Sequence, residues 1–366
     1  MKRIFPMLIV LALALTACAS LPQSSEPLRV VDGTESSGKT SFEGEELVIY
    51  NYFDYIDPEI VDIFEAETGA RVQQIYFASP EEMYTKLESG TALYDVAFST
   101  EYMVERLIRE GRLEKLNLGN IPNISGVSQW LLMADCDPRG EYSVPYMWGT
   151  VGILYNKKLV NGPVTGWDAI FGPDYTGDLF MMSSMRDTIG IALKALGHSI
   201  NSRDPEHLDE ARQLLVDQKR SGWLRGYFLD EAKDKMIGEE ASMALMYSGD
   251  AIYSMEANEN LRYIIPEGGS NIWMDRVCIP AGSRHKECAE AFINFLCRED
   301  IAARNMEYIY YSSPIQSVLD GFDAGDFRMI EAINPPQEHL EKCEFFHDVS
   351  DSMELFESVW MEVRLA

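Results

Sequence analysis

Leu47-Val48-Ile49-Tyr50-Asn51-Tyr52-Phe53-Asp54-Tyr55-Ile56-Asp57-Pro58-Glu59-Ile60 reads as a strand that runs through a short aromatic and acidic turn into a helix. The apolar run Leu47 to Tyr50 suits a strand. Asp57-Pro58 suits a helix start, with the acid as N-cap and the proline at a position whose N–H has no helical partner. Ile60, Ile63 and Phe64 then share one helical face, and Gly69 is the stop. The same grammar repeats outward. Val72 to Tyr76 is a second strand, Ser79-Pro80-Glu81-Glu82 a capping box leading to Met83, Leu87 and a stop at Gly90. Tyr94 to Phe98 is a third strand, and Glu101 to Glu110 a third helix ended by Gly111. Strands alternating with helices predict an α/β fold with a parallel sheet and helices on both faces.

After Val144-Pro145 the pattern resumes. Strands are predicted at Val151 to Tyr155, Leu179 to Met182, Met243 to Tyr247 and Arg262 to Ile265, with helices at Arg186 to Leu196 and Glu206 to Gln218. From Glu46 onward there are about 320 residues, too many for one small core, so two lobes are the natural division.

Three aromatic and acidic clusters are read as all falling just after predicted strands: Tyr52-Phe53-Asp54-Tyr55, Tyr247-Ser248-Gly249-Asp250 and Trp273-Met274-Asp275. A ring face attracts a cation and covers methylene groups, and a carboxylate supplies the counter-charge that a desolvated ammonium requires. Together they describe a pocket for an organic cation. Taken singly, Asp54 and Asp250 also suit helix N-caps, and Tyr52, Tyr247 and Tyr311 suit a core. Trp148 and Trp167 read as packing residues.

The N-terminus has Lys2 and Arg3 before an apolar stretch from Ile4 to Leu15 and then Leu15-Thr16-Ala17-Cys18. This is a signal peptide over 1–17, too short for a lasting membrane span, with Cys18 placed as the lipidated residue of a bacterial lipoprotein. Residues 18–45 are rich in Ser, Pro, Glu and Gly and read as the lipid anchor and a flexible tether. Within it, Gly33-Thr34-Glu35-Ser36-Ser37-Gly38-Lys39-Thr40 matches a phosphate-loop pattern letter for letter. It lacks the preceding buried strand and the following apolar helix that such a loop needs, and is a chance match.

The chain carries 59 acidic against 31 basic residues, a formal charge of −28. Such a field repels nucleic acid and anionic lipid and concentrates cations, which argues against a nucleic-acid partner. Beyond Cys18 there are five cysteines, Cys136, Cys278, Cys288, Cys297 and Cys343, in no C-x-x-C pair. The spacing matches neither a disulfide framework nor a zinc site, and reads as small buried residues. Cys288 and Cys297, nine apart on one predicted helix, are too far along its axis to bridge each other, and one bridge among the others stays compatible with the count. The five histidines form no nucleophile or metal motif. No cofactor and no metal are expected.

At this point the chain resembles the spermidine/putrescine-binding proteins of polyamine ABC importers, a family with the type II periplasmic-binding-protein fold. The likeness runs from about Glu46 to Ser350. It is carried by Tyr50-Asn51-Tyr52-Phe53-Asp54-Tyr55, Tyr94-Asp95-Val96, Val144-Pro145-Tyr146-Met147-Trp148-Gly149 and Glu267-Gly268-Gly269 with Trp273-Met274-Asp275. The resemblance implies two α/β lobes joined by a hinge, with the ligand cleft between them and crossovers near Pro145 to Thr150 and Asn271 to Arg276. Lobe 1 would comprise 46–147 plus 273–311, and lobe 2 148–272 plus 312–366.

By the same resemblance Tyr52 is a wall against the alkyl chain, with Phe53, Asp54 and Tyr55 beside it. Thr100 and Tyr102 follow the third strand, Ser184 and Asp187 open a helix, Tyr247 is a second wall, and Asp250 matches the putrescine-binding branch. Trp273, Asp275 and Tyr311 match without change of residue type, and Asp275 is the expected amine anchor. Phe53, Ser184 and Phe346 depart from the family's residue types. Asp275 with Asp187 is expected toward one end of the ligand, and Asp54 with Asp250 toward the other.

The implied function is a non-enzymatic, lipid-anchored solute-binding protein at a bacterial periplasm or cell surface. It would capture a polyamine and hand it to ABC permease subunits. Alternatives are a same-fold protein for ferric ion, for which Tyr310-Tyr311 superficially suits phenolate ligation, or for a quaternary amine. An exported glycosidase using two of the acids is a further reading.

Overall fold

The computed structural model describes residues 41–366 apart from 91–92, 173–176 and 323–326. The stretch 1–17 read as a signal peptide, Cys18, most of the stretch 18–45 read as a tether, and Gly33–Thr40 lie outside the described residues.

The first half forms by local rules. Strand β1 (Glu46–Tyr52) leads to helix α1 (Pro58–Thr68), where Asp57 accepts from the Glu59 N–H and Gly69 closes the end in the left-handed conformation. The helix buries Ile60, Val61 and Phe64. Strand β2 (Arg71–Phe77) then leads to helix α2 (Pro80–Ser89), capped by Ser79 through the Glu82 N–H, while the Glu82 carboxylate reaches back to the Ala78 N–H over 3.0 Å. Strand β3 (Val96–Thr100) feeds helix α3 (Glu101–Arg109). β1 pairs in parallel with both β2 and β3, as expected.

The purely parallel sheet is not what the rest of the chain builds. Strand β4 (Ser143–Asn156) is fourteen residues long, and β9 (Ile272–Cys278) is antiparallel both to β3 and to β4. Strands β5 (Leu179–Met182) and β6 (Leu224–Phe228) are parallel to each other. β7 (Met243–Tyr247) is parallel to β5 but antiparallel to β4, and β8 (Leu261–Ile264) is antiparallel to β4. The sheet order is β2-β1-β3-β9-β4-β7-β5-β6, with β8 off that path on β4. The sheet is therefore mixed.

The stretches expected as crossovers are the interiors of β4 and β9, hydrogen-bonded to one another. Met147 lies opposite Asp275, Gly149 opposite Trp273, and the register shifts between Pro145 and Met147. Proline has no N–H to give a ladder, and a bulge is where a sheet tolerates it. Every residue of β4 except Tyr155 is buried, and so is every residue of β9.

Apolar side chains gather in one large cluster and two smaller ones. Phe64 of α1 packs edge-on to Phe292 at 5.0 Å in the large cluster. Ile189, Leu208, Leu215 and Phe356 lie in the second, and Tyr50, Met83 and Leu107 in the third. Removing a ring such as Phe64 would cost about 3–5 kcal/mol through lost transfer energy and a cavity. Of the five described cysteines, Cys136, Cys278, Cys288 and Cys297 are buried and Cys343 is half-buried. Trp148 and Trp167 are buried, donating their indole N–H groups to the carbonyls of Ser313 and Gly269. Among the described residues, no helix is long and apolar enough to cross a membrane.

Candidate ligand-binding site

Asp275 stands in the middle of β9, opposite Thr100 of β3 and Met147 of β4. Its Oδ2 accepts the Tyr55 hydroxyl over 2.6 Å, while Oδ1 is buried without a hydrogen-bond partner. Burial pushes the carboxyl up to about 7, against the lowering effect of the Tyr55 bond. A buried acceptor with one oxygen unused is costly to the fold unless a donor meets it.

Tyr55 belongs to a row of rings. Tyr52 lies 5.5 Å from Tyr55, Tyr55 lies 6.2 Å from Tyr311, Tyr311 lies 4.7 Å from Trp273, and Trp273 lies 5.8 Å from Tyr247, each pair edge to face. The row crosses from β1 through β9 to the end of β7. Two glycines admit it. A Cβ on Gly149 would stand 2.7 Å from Trp273 Cζ2, and one on Gly249 would stand 2.3 Å from Tyr311 Cδ1. Trp273 Nε1 is buried without a partner. The alignment of faces and edges offers negative ring surface to a cation and apolar surface to methylene groups.

Two more carboxylates join this row. Asp187 is in the first turn of the helix Met185–Ala195, whose N-cap Ser184 donates its hydroxyl to Asp187 Oδ2 over 2.5 Å; Tyr247 donates to the same oxygen over 2.8 Å. Burial raises the Asp187 pKa, opposed by the two hydroxyls and by the neighbouring Arg186. Asp250, in the first turn of the helix Ser248–Ala257, stands beside the Tyr311 hydroxyl and 3.4 Å from Lys233 Nζ. Burial pushes its carboxyl up to about 6, with Lys233 pulling the other way.

Not every expected residue converges. Asp54 has φ 56°, and this left-handed turn carries its exposed carboxylate to the Tyr308 hydroxyl, 2.5 Å away. Phe53 is 78% exposed and packs edge-on against Tyr76. Asp54 and Asp250 therefore do not pair, one meeting Tyr308 and the other Lys233. Asp275 and Asp187 are met by different hydroxyls, those of Tyr55 and Tyr247 respectively. Thr100 ends β3 opposite Asp275. Tyr102 donates to Glu81 over 3.1 Å and lies 6.4 Å from the buried Phe346 ring.

Three residues here escaped the sequence reading. Glu101 is buried, accepts from the N–H groups of Met274 and Phe346, and is pushed up to about 8 by burial, with Asp275 adding to the rise. It also borders a cavity of about 290 Å3 shared with Phe346 and His347. Arg186 is buried with its guanidinium 4.5 Å over the Phe346 ring and 5.4 Å over that of Tyr102. Tyr146 donates to the Tyr55 carbonyl over 2.5 Å and accepts from Asn305 over 2.6 Å, which fixes the turn that carries Tyr55.

The sequence profile of bacterial extracellular solute-binding proteins matches residues 59–328. The chain belongs to that family. As a bacterial extracellular solute-binding protein it is similar to the spermidine/putrescine-binding periplasmic protein of Escherichia coli K12, with 28% identity over 323 residues, 87% of this chain and 91% of that one. Among solved structures it is similar to the spermidine/putrescine ABC transporter substrate-binding protein PotD of Streptococcus pneumoniae, at 33% identity and a TM-score of 0.76, covering 87% of this chain and 99% of that one. It is also similar to the Tp0655 lipoprotein of Treponema pallidum, at 26% identity and a TM-score of 0.76, covering 88% and 100%. These likenesses agree with a two-lobed periplasmic-binding-protein fold.

A family of ABC solute-binding proteins is one of capture, not catalysis, and sets the glycosidase reading aside. The ferric reading loses its tyrosine pair on geometry. Tyr310, in the left-handed conformation at a helix end, donates outward to Glu256 over 2.9 Å, while Tyr311 faces Asp250 and Trp273. A hard cation needs oxygens converging on one point, and these two diverge.

Proposed function

We propose that this solute-binding protein captures a polyamine, putrescine or spermidine, and delivers it to the permease of an ABC importer. The observation that carries the reading is the row Tyr52, Tyr55, Tyr311, Trp273 and Tyr247 with Asp275, Asp250 and Asp187 hung along it, one of them with an unused buried oxygen. Ammonium groups replace their water with carboxylates, and the methylenes lie against rings. The names of the relatives from Escherichia coli and Streptococcus pneumoniae support the same substrate class.

The lobes in this reading are 46–147 plus 273–311 and 148–272 plus 312–366, hinged through β4 and β9. Their closure expels water and presents one shape to the permease. Thr100, Tyr102 and Ser184 line the cleft, and Phe53 with Asp54 stands at its rim. Lipid on Cys18 would hold the protein at a bacterial membrane facing the periplasm or the outside. The small residues before Cys18 support this, and the similar Tp0655 protein of Treponema pallidum is a lipoprotein.

Calorimetric titration with putrescine, spermidine, ferric ion and betaine tests the reading. Saturable binding of at least one of the two amines, with neither ferric ion nor betaine competing, is expected. Binding of ferric ion or betaine alone would contradict it.

A further inference from the structure

Asp250 differs from the other carboxylates of the ring row in already holding a cation. Lys233, on the helix Glu231–Ile237, sets Nζ 3.4 Å from Asp250 Oδ1, 3.9 Å from Asp230 and 5.7 Å from the centre of the Tyr253 ring. The Asp250 side chain is 14% exposed and that of Lys233 29%, whereas Asp230 is 89% exposed. The inner contact of the lysine is therefore the drier one. Burial works against its charge, but Asp250 and Asp230 hold it above the ordinary lysine range.

The other two acids are met differently. Asp275 is met by the Tyr55 hydroxyl, and Asp187 by the hydroxyls of Ser184 and Tyr247. Arg186, next in the chain to Asp187, directs its guanidinium to the His347 carbonyl and to ring faces.

We infer that Lys233 is a tethered ammonium that occupies the Asp250 position of the cleft and makes the site select diamines over triamines. The inference rests on the polyamine reading above. A diamine finds two carboxylates that hydroxyls meet and that, among the described residues, form no salt bridge, Asp275 and Asp187, and its methylenes span the rings between them. The third ammonium of spermidine has Asp250 as the remaining carboxylate of the ring row, and there it meets Lys233. Two ammonium groups sharing one poorly solvated carboxylate repel each other and leave charge uncompensated. Selectivity of this kind comes from a repulsive element set against the wrong ligand.

The test is titration of the full chain with putrescine and with spermidine, in the wild type and in Lys233→Met, Lys233→Gln and Lys233→Arg. Methionine keeps the stem without the charge, and arginine keeps the charge. The wild type is expected to bind putrescine at least about tenfold more tightly than spermidine. Lys233→Met and Lys233→Gln should shift the ratio of the two dissociation constants toward spermidine by about tenfold or more, with putrescine changed by less than about threefold, while Lys233→Arg keeps the wild-type ratio. A wild type that prefers spermidine overturns the inference, as does a Lys233→Met or Lys233→Gln protein whose ratio stays within about twofold of the wild type. Failure of the wild type to bind either amine would be a different result, removing the polyamine reading and the inference with it.

Discussion

The Tyr55 hydroxyl donates to Asp275 across 220 positions of sequence, over 2.6 Å in a buried setting. One residue comes from the turn after β1 and the other from the middle of β9. The bond fixes which oxygen of Asp275 is used and leaves Oδ1 for another donor. Tyr55→Phe should keep the ring row and remove only the donor. An unsatisfied buried acceptor costs about 1–3 kcal/mol, so thermal unfolding should fall by that order and amine affinity by about tenfold. Unchanged affinity would mean that Oδ2 plays no part in holding the carboxylate for ligand.

Asp275 titrates near 7 in the fold instead of near the ordinary 3.8, because burial disfavours its charge. An acid whose folded pKa is raised binds more protons folded than unfolded, so its ionisation lowers stability as pH rises from about 4 to about 7, and the loss is complete above that. Asp275→Asn removes this term. Wild type and variant should differ little near pH 4, and without ligand the variant should be the more stable by a few kcal/mol above pH 7, as read by denaturant unfolding at several pH values. Equal pH dependence in the two proteins would contradict the assignment.

The same titration reaches binding. An ammonium requires Asp275 as carboxylate, so below about pH 7 binding must expel a proton, and the dissociation constant should weaken by up to about tenfold per pH unit. Calorimetry in two buffers of different ionisation enthalpy reads the released proton directly. An affinity that is flat from pH 5 to 8 would exclude this coupling.

Glu101, Glu105 and Arg109, one face of α3, meet the segment 346–350. Glu101 accepts the Phe346 N–H, Glu105 accepts the Asp348 N–H, and Arg109 pairs with Asp348 and Ser350. The Glu105 side chain raises the His347 pKa, with burial opposing. A histidine with a raised folded pKa adds stability that is fully present below its unfolded value of about 6.5 and is lost as pH rises through the folded one. His347→Gln should thus lower the melting temperature at pH 5.5 and leave it unchanged at pH 9. A drop of equal size at both would point to packing instead of charge.

Gly249 admits Tyr311 to within a distance that no Cβ permits. Gly249→Ala should displace the ring and weaken amine binding by tenfold or more, by order of magnitude about 1.4 kcal/mol, while far-ultraviolet circular dichroism stays that of the wild type. Wild-type affinity in this variant would show that the Tyr311 position is not part of the site.

The start of the fold is legible in the sequence because its punctuation is local. Asp57-Pro58, Ser79-Pro80, Gly69 and Gly90 each act on their own neighbours. The centre is not. β4 and β9 are buried on both faces and so lack the period of two, and Pro145 reads as a break although a register shift absorbs it. In the site, the rings and Asp275 were legible as aromatic and acidic pairs. Glu101 was not, since an acid in a helix's first turn is ordinary and its partners lie 173 and 245 positions away. The diversion of Asp54 depends on a positive φ that no residue type dictates, and Lys233 lies in a run of alternating charges that looks like a solvated helix face.

The most direct measurement is a crystal structure of the chain grown with putrescine. The expected result is an ammonium nitrogen about 2.7–2.9 Å from Asp275 Oδ1, with the methylenes between Tyr52, Trp273 and Tyr247. Putrescine bound elsewhere, with Asp275 Oδ1 untouched, would contradict the account.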